Sequence, residues 1–426
     1  MIRVYIKDGE VYSNPIKYTL NLINVCLKLD VSFTFNKNEA HYIFDLTDDR
    51  SIFINFEFYN SLINEKKYSH QYYFNNEPVI YSKSIKNKKD LLGTVFYIVN
   101  SFQEYKSDEL QDTFDTFGRF KFESSFQFKF NCIEENLVEK YLKEFCKSEL
   151  KIEHFPNLSK ARIFLSHDID SLNGSFLQDG KWAVQNRRFD VLLKIIFNEM
   201  LRKPHWKNVE FINKLHDENG IVSTFFWLAK NITGKYNVQN ADYNINELRK
   251  MSSFSKINGL HKSSCNLEIN EELDILPFKT YFNRYHFLMF NLPNAWEEIN
   301  NSNLKLDASL GFAERYGFRN SYGLPFRPYN LNTGKSYDFV EVPLNVMDGT
   351  FQKYMKIPIS KTAETIICFL EKNLNNSVLS ILWHNTFFTS YKYIGYLYEY
   401  QKILHFIVDA NLETITPNDI VKLYGE

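Results

Sequence analysis

Cysteine is scarce in this 426-residue chain, and the five present, Cys26, Cys132, Cys146, Cys265 and Cys368, are odd in number and widely scattered. That excludes the close, even spacing of a disulfide framework and makes a reducing cytoplasm the expected compartment. Long apolar runs are also missing. No stretch approaches the roughly 18 uninterrupted apolar residues of a transmembrane span, so none is expected. The opening MIRVYIKDGEVYSNP offers neither an apolar core long enough for a signal peptide nor a small-residue cleavage site. Any membrane association is expected to be peripheral, at the inner face, and to come through a partner. Excess charge of one sign is absent too: 50 Lys and Arg face 51 Asp and Glu, a net charge of −1. Nucleic acid is therefore not an expected partner. Glycine and proline are few, at 15 and 11.

What the chain has is apolar and aromatic material. Hydrophobic residues make up 44%, with 39 Phe, 27 Tyr and 5 Trp, which is globular composition with ample core. Most of these rings are expected to fill the interior, not to line a carbohydrate wall. At about one domain per 150 residues, the length suggests two or three domains.

Residues 1–155 read as a smaller mixed α/β accessory domain. RVYIK and HYIFDL are strand-like, SIFINFEF alternates with period two, and DLLGTVFYIVNSFQEY and NLVEKYLKEFCKSEL carry helical spacing. EYKSDELQDTFDTFGRF is a polar segment around an aromatic tail, and KIEHFPNLSKAR reads as a linker. From residue 156 to 426 the pattern becomes repeated strand-then-helix. ARIFLSHDID, IVSTFFWLAKN, INGLHKSSC, NLKLDASLGFA, DFVEVPLNVMD and SVLSILWHNTFF are short apolar strands ending in polar or ionisable clusters, with helical stretches between them. Such repetition predicts a parallel sheet, open or closed into a barrel, with the site at the C-terminal strand ends.

Those ends carry chemistry. In FLSHDID an extended strand puts Ser166, Asp168 and Asp170 on one face and His167 and Ile169 on the other. Two adjacent carboxylates repel unless a cation intervenes, and a divalent metal would leave one carboxylate as ligand and one free to take a proton from water. His261 ends another strand. A helical turn starting there would place His261 and Cys265 at i and i+4, on one face. His384 follows a strand between Trp383 and Asn385.

Taken in order, these motifs resemble the NodB-type polysaccharide deacetylases, carbohydrate esterase family 4, and within it a bacterial subgroup with HDVD, GLH and RxHxL motifs and an extra N-terminal domain. The resemblance covers nearly all of the second domain and implies a deformed (β/α) barrel. SHDID stands for the family's TFDD, making Asp168 the base and Asp170 a metal ligand. STFFWLAKN matches a family strand. His261 to Cys265 stands for H-[ST]-x-x-[HN], with Cys265 where the second metal histidine belongs. RYHF stands for R-x-P-[FYW], giving Arg284 the role of orienting the base and putting His286 in the place of proline. Asp307 lies in the fourth region, and LWHN makes His384 the general acid. Asp307, Trp383 and Trp227 are the expected substrate contacts. FYIVNSFQEY and FDTFGRF are similar to strings of the subgroup's accessory domain.

The third ligand of the expected metal, Zn²⁺ in most such sites, stays open: Cys265, His286, water, or no metal bound at all. About 90 residues separate Asp170 from His261, and the segment 172–206 reads as a helical insertion walling the site. The implied activity is hydrolysis of the acetamide of an amino sugar in a bacterial surface polysaccharide or its precursor, with glycan-biosynthesis proteins as partners. Two other readings remain: a degenerate glycan-binding scaffold, motivated by Cys265, and a hydrolase of a non-sugar amide.

Overall fold

The computed structural model describes residues 1–105, 113–201, 205–389 and 392–425. Parts of the polar segment at 104–120 and of the insertion at 172–206 fall outside these ranges. The chain begins with a three-stranded parallel sheet, β1 (Ile2–Ile6), β2 (Val31–Phe33) and β3 (Tyr42–Phe44), in the order β2-β1-β3. Helices Ser13–Leu27, Leu91–Val99 and Leu137–Ser148 pack together beside it. Every residue of Leu91–Val99 is buried, as its near-continuous apolar sequence requires.

One expected strand is absent. SIFINFEF forms a bridge at Ser51 and then helix Phe56–Ile63, because the Asn55 side chain accepts the Phe58 N–H and caps the helix. Alternation over eight residues could not override that local cap.

The second part is a curled, all-parallel sheet. Its strands are β4 (Arg162–Ile169), β5 (Thr224–Trp227), β6 (Asn258–Lys262), β7 (Phe282–Tyr285), β8 (Leu306–Asp307), β9 (Val340–Glu341), β10 (Val346–Met347), β11 (Val378–Leu382) and β12 (Glu413–Thr414). The order is β9-β8-β7-β6-β5-β4-β11-β10, with β12 also pairing with β4. Among the described residues β9 and β10 do not pair with each other, so the barrel is open between them. Strands β4, β5 and β11 are buried on both faces, and their mainly apolar sequences suit a sheet covered on both sides. The short β7 and β12 had no strand signal in the sequence.

The two parts share one continuous apolar core that runs from Val4 to Ile420. Polar contacts cross it. Arg319 and Glu104 form a buried two-point ion pair, with Nε donating to Oε1 at 2.9 Å, and Asn320 donates to the Val99 carbonyl at 3.1 Å. Among the described residues, no helix is long and apolar enough to cross a membrane.

Candidate metal centre

The register of the sheet brings the ionisable strand ends together. β6 and β7 align His261 with Arg284, and β4 is central between β5 and β11. Alternation along β4 behaves as the sequence requires. Ser166 and Asp168 both receive hydrogen bonds from Arg284 Nη1, at 2.8 and 3.0 Å. His167 faces the other way, against His216 and Tyr400.

Arg284 is fully buried and pinned at both ends, its Nε donating to the Ala308 carbonyl at 2.8 Å and its guanidinium lying over Phe226. It engages Asp168 through Oδ1. The second oxygen, Oδ2, points to a cluster of donors, 3.6 Å from His261 Nε2. That cluster is Asp170, His261 and His286, whose ligand atoms all lie within 4.8 Å of one another.

Asp170 Oδ1 stands 3.3 Å from His261 Nε2 and 3.6 Å from His286 Nε2. A tetrahedron with bonds of about 2.0 Å has edges of about 3.3 Å, so these separations suit one small cation. The protonation pattern agrees. His261 Nδ1–H donates to the Arg284 carbonyl at 2.8 Å, and His286 Nδ1–H donates to Asn240 Oδ1 at 2.8 Å. Both Nε2 lone pairs are thereby turned inward, as outer hydrogen bonds do in histidine metal sites. Asp170 Oδ1 is buried with no hydrogen-bond partner, a cost that a cation would remove. Burial pushes His286 down to about 3, keeping it a neutral donor. Burial alone would raise Asp170, but the imidazoles of His286, His261 and His384 outweigh it and hold the carboxyl far below its usual range. The residues therefore fit a divalent ion held by one carboxylate and two imidazoles, with a coordination position open.

His384 closes the site from the other side. Its Nε2 is 3.7 Å from Asp170 Oδ2. Its Nδ1–H donates to Asp348 Oδ1 at 2.7 Å, and its backbone N–H donates to Asp348 Oδ2 at 2.6 Å. Burial would depress this imidazole, but the charge of Asp348 outweighs it and lifts His384 to about 9. Asp348 escaped the sequence reading. It lies in EVPLNVMDGT, but nothing in one sequence showed that the residue after β10 backs the residue after β11.

Cys265 is corrected. His261 lies within a strand, not at the start of a helical turn, so no i, i+4 pairing arises, and the cysteine swings away to contact Ser263 Oγ at 2.7 Å and Glu272 Oε1 at 3.6 Å. The expected substrate contacts also sit elsewhere. Asp307 is fully buried, accepting from Asn283 Nδ2 at 2.7 Å and Ser309 N at 2.9 Å. Burial raises it to about 6, and burial together with Asp307 raises its register partner Glu341 well above the usual range. The two carboxyls thus form a buried pair within the sheet. Trp227 is fully buried with its Nε1–H on Asn258 Oδ1 at 2.7 Å. Trp383 is fully buried against Tyr396 and Tyr400. Neither ring offers a face to a ligand.

Close packing helps to place His261. A Cβ on Gly259 would fall 2.5 Å from the Phe226 ring and 3.2 Å from the Phe282 carbonyl, so only glycine lets β6 sit this tightly between its neighbours. A cleft of about 440 Å³ opens over the donors, with Asp170, His286 and His384 in its wall. The insertion contributes Leu177, Gln178 and Trp206 to the same wall.

The family DUF7033, described as a family of unknown function, matches residues 4–152. No curated protein matches the chain. Among solved structures the chain is similar to a putative polysaccharide deacetylase from Mycobacterium smegmatis, with 13% identity over 63% of this chain and 91% of that one and a TM-score of 0.38. It is also similar to a putative polysaccharide deacetylase involved in O-antigen biosynthesis from Bordetella bronchiseptica (13% identity, 62% of this chain, 83% of that one, TM-score 0.30). A third is the chitin deacetylase of the fungal pathogen Colletotrichum lindemuthianum (10% identity, 63% of this chain, 90% of that one, TM-score 0.31).

Proposed function

We propose that the chain is a divalent-metal-dependent N-deacetylase that removes acetyl groups from an amino sugar of a bacterial surface polysaccharide or its precursor. One observation carries this reading. A carboxylate clamped by a buried arginine (Asp168 with Arg284) and an imidazole clamped by a buried carboxylate (His384 with Asp348) flank a three-donor cluster between them. A base, an acid and an open cation position are what amide hydrolysis needs.

Asp170, His261 and His286 would hold the cation. When bound, it supplies Lewis acidity that polarises the acetamide carbonyl and eases deprotonation of water. Asp168 takes the proton from the attacking water at Oδ2, since Arg284 occupies Oδ1 and fixes the carboxylate plane. His384, kept protonated by Asp348, gives a proton to the departing amine nitrogen, and the products are acetate and a free amino sugar. Two imidazoles and a carboxylate with an open position suit zinc.

The reading takes His286, one of the open candidates for the third ligand, as the donor that completes the set, because its Nε2 stands 3.6 Å from Asp170 Oδ1. The division near residue 155 is part of the same reading, supported by the family match to residues 4–152 and by β4 beginning at Arg162.

The experiment is acetate release from N-acetylated amino-sugar oligomers by zinc-loaded protein. We expect activity that falls by about 10²–10⁴-fold in Asp168→Asn while bound zinc stays unchanged. Activity surviving in that variant would sink the reading.

A further inference from the structure

Beside the reaction cleft lies a larger cavity, of about 640 Å³, and the two meet at His286. Its wall is shared between the two parts of the chain. Phe117 and Gly118 come from the N-terminal part, and Tyr236, Cys265, Met289 and Glu298 from the other. At the junction stands a group of rings. Phe117 stacks on Phe287, with centroids 6.2 Å apart and planes at 17°, and Tyr236 meets Phe117 edge-on at 5.8 Å. Tyr236 and Phe287 remain 56% and 42% exposed. Both are held at left-handed backbone angles, φ +58° and +55°. Bulky residues rarely adopt that conformation.

The N-terminal contribution is fixed in place. The turn Asp115–Arg119 is closed by Asp115 N donating to the Arg119 carbonyl at 2.8 Å. Arg119 Nε donates to Asp115 Oδ2 at 2.8 Å, and Nη1 donates to the Phe287 carbonyl at 3.0 Å. Its guanidinium lies 5.1 Å over the Phe117 ring, and Asn291 donates to the Gly118 carbonyl at 3.2 Å. One arginine thus holds an N-terminal ring against the residue that follows the metal-site histidine.

The exposed side chains of Tyr236 and Phe287, beside a cavity whose wall mixes Lys235, Asn266, Glu268 and Asn294 with apolar groups, suit a ligand with apolar C–H faces and many hydroxyls. We propose that Phe117, Tyr236 and Phe287 form a subsite for a neighbouring sugar of the same glycan, so that the substrate is a chain and the N-terminal part supplies the chain selectivity. This rests on the deacetylase reading. The occupant is a pyranose ring, because the cavity continues the cleft in which the acetamide would react.

The test uses N-acetylglucosamine and its oligomers of two to six units with the zinc-loaded full chain, its Phe117→Ala and Tyr236→Ala variants, and Phe117→Trp as a rescue. For wild type, kcat/KM should rise with length. Each alanine variant should lose about tenfold more on the hexamer than on the monomer, mainly through KM, and Phe117→Trp should restore it. Equal losses at every length, or no loss, would overturn the subsite. If wild type releases no acetate from any of these sugars, it is the deacetylase reading that fails. Calorimetry of the hexamer with zinc-free protein then decides the subsite: binding weakened in Phe117→Ala upholds it, and no binding or unaltered binding overturns it.

Discussion

His286 and Cys265 were rival donors in the sequence, and direction separates them in three dimensions. His286 leaves β7 with Nε2 aimed at Asp170, while Cys265 turns from the end of β6 toward Glu272. His286→Ala should therefore weaken zinc binding by at least about 100-fold, and Cys265→Ser should leave it intact, as read by metal content after dialysis. Asp348 is the second residue on which the site depends. Asp348→Asn removes the negative charge that lifts His384, so the imidazole loses its proton at lower pH. The general acid must be protonated, so the alkaline limb of the kcat profile should shift to lower pH, with about tenfold less of the active form per unit of displacement. An unmoved limb would remove His384 from the acid role. Asp168, Asp170, His261 and His384 stand out in the sequence because each lies at the end of a short apolar strand, whereas Arg284 stands out only through the RYHF string of the resemblance. Asp307, Trp227 and Trp383 were misjudged because which way a strand-end side chain points depends on neighbours that no single strand reveals.

At the scale of elements, helix Leu91–Val99 shows what a buried cap costs. Asp90 Oδ1 accepts the Gly93 N–H at 2.7 Å, but Oδ2 is buried without a partner, and burial raises the carboxyl to about 7. A group whose pKa is higher in the folded state gives stability that is full below its unfolded value, near 3.8, and is lost as pH rises to about 7. Asn caps a helix as well as Asp and carries no charge. Asp90→Asn should thus match wild type at pH 4 and exceed it by a few kcal/mol at pH 8, at about 1.4 kcal/mol per unit, measured by urea unfolding. The helices of this part were readable because their apolar spacing runs over many residues. Strands of two to four residues, such as β7 and β12, carry too few positions for a period to show.

The whole molecule is held together across its two parts by Arg319 and Glu104, which are 2% and 1% exposed. Arg319 also donates to the Gly311 carbonyl at 2.8 Å and lies over Phe312. Glu104→Ala would leave that guanidinium buried and unpaired, at a cost of about 3–5 kcal/mol. The urea midpoint of the single cooperative transition should fall, and Glu104→Leu combined with Arg319→Met should recover much of the loss. An unchanged midpoint in Glu104→Ala would mean that the pair does not join the two parts. Glu104 and Arg119 belong to the strings FYIVNSFQEY and FDTFGRF, to which the sequence alone assigns no role. Their partners, Arg319 and Phe287, lie far along the chain, so the role could not be read locally.

By itself the sequence determined the α/β class of the chain and the row of ionisable strand ends. Scattered cysteines, balanced charge and repeated strand-then-helix units with ionisable ends follow from residue type and short-range period, which one chain displays in full. Only the tertiary structure decided which of the candidates lie together. Parallel register set His261 beside Arg284, the curl of the sheet brought Asp348 behind His384, and the shared core laid Phe117 against Phe287. Each is a meeting of residues distant in sequence, fixed by packing that no local pattern encodes.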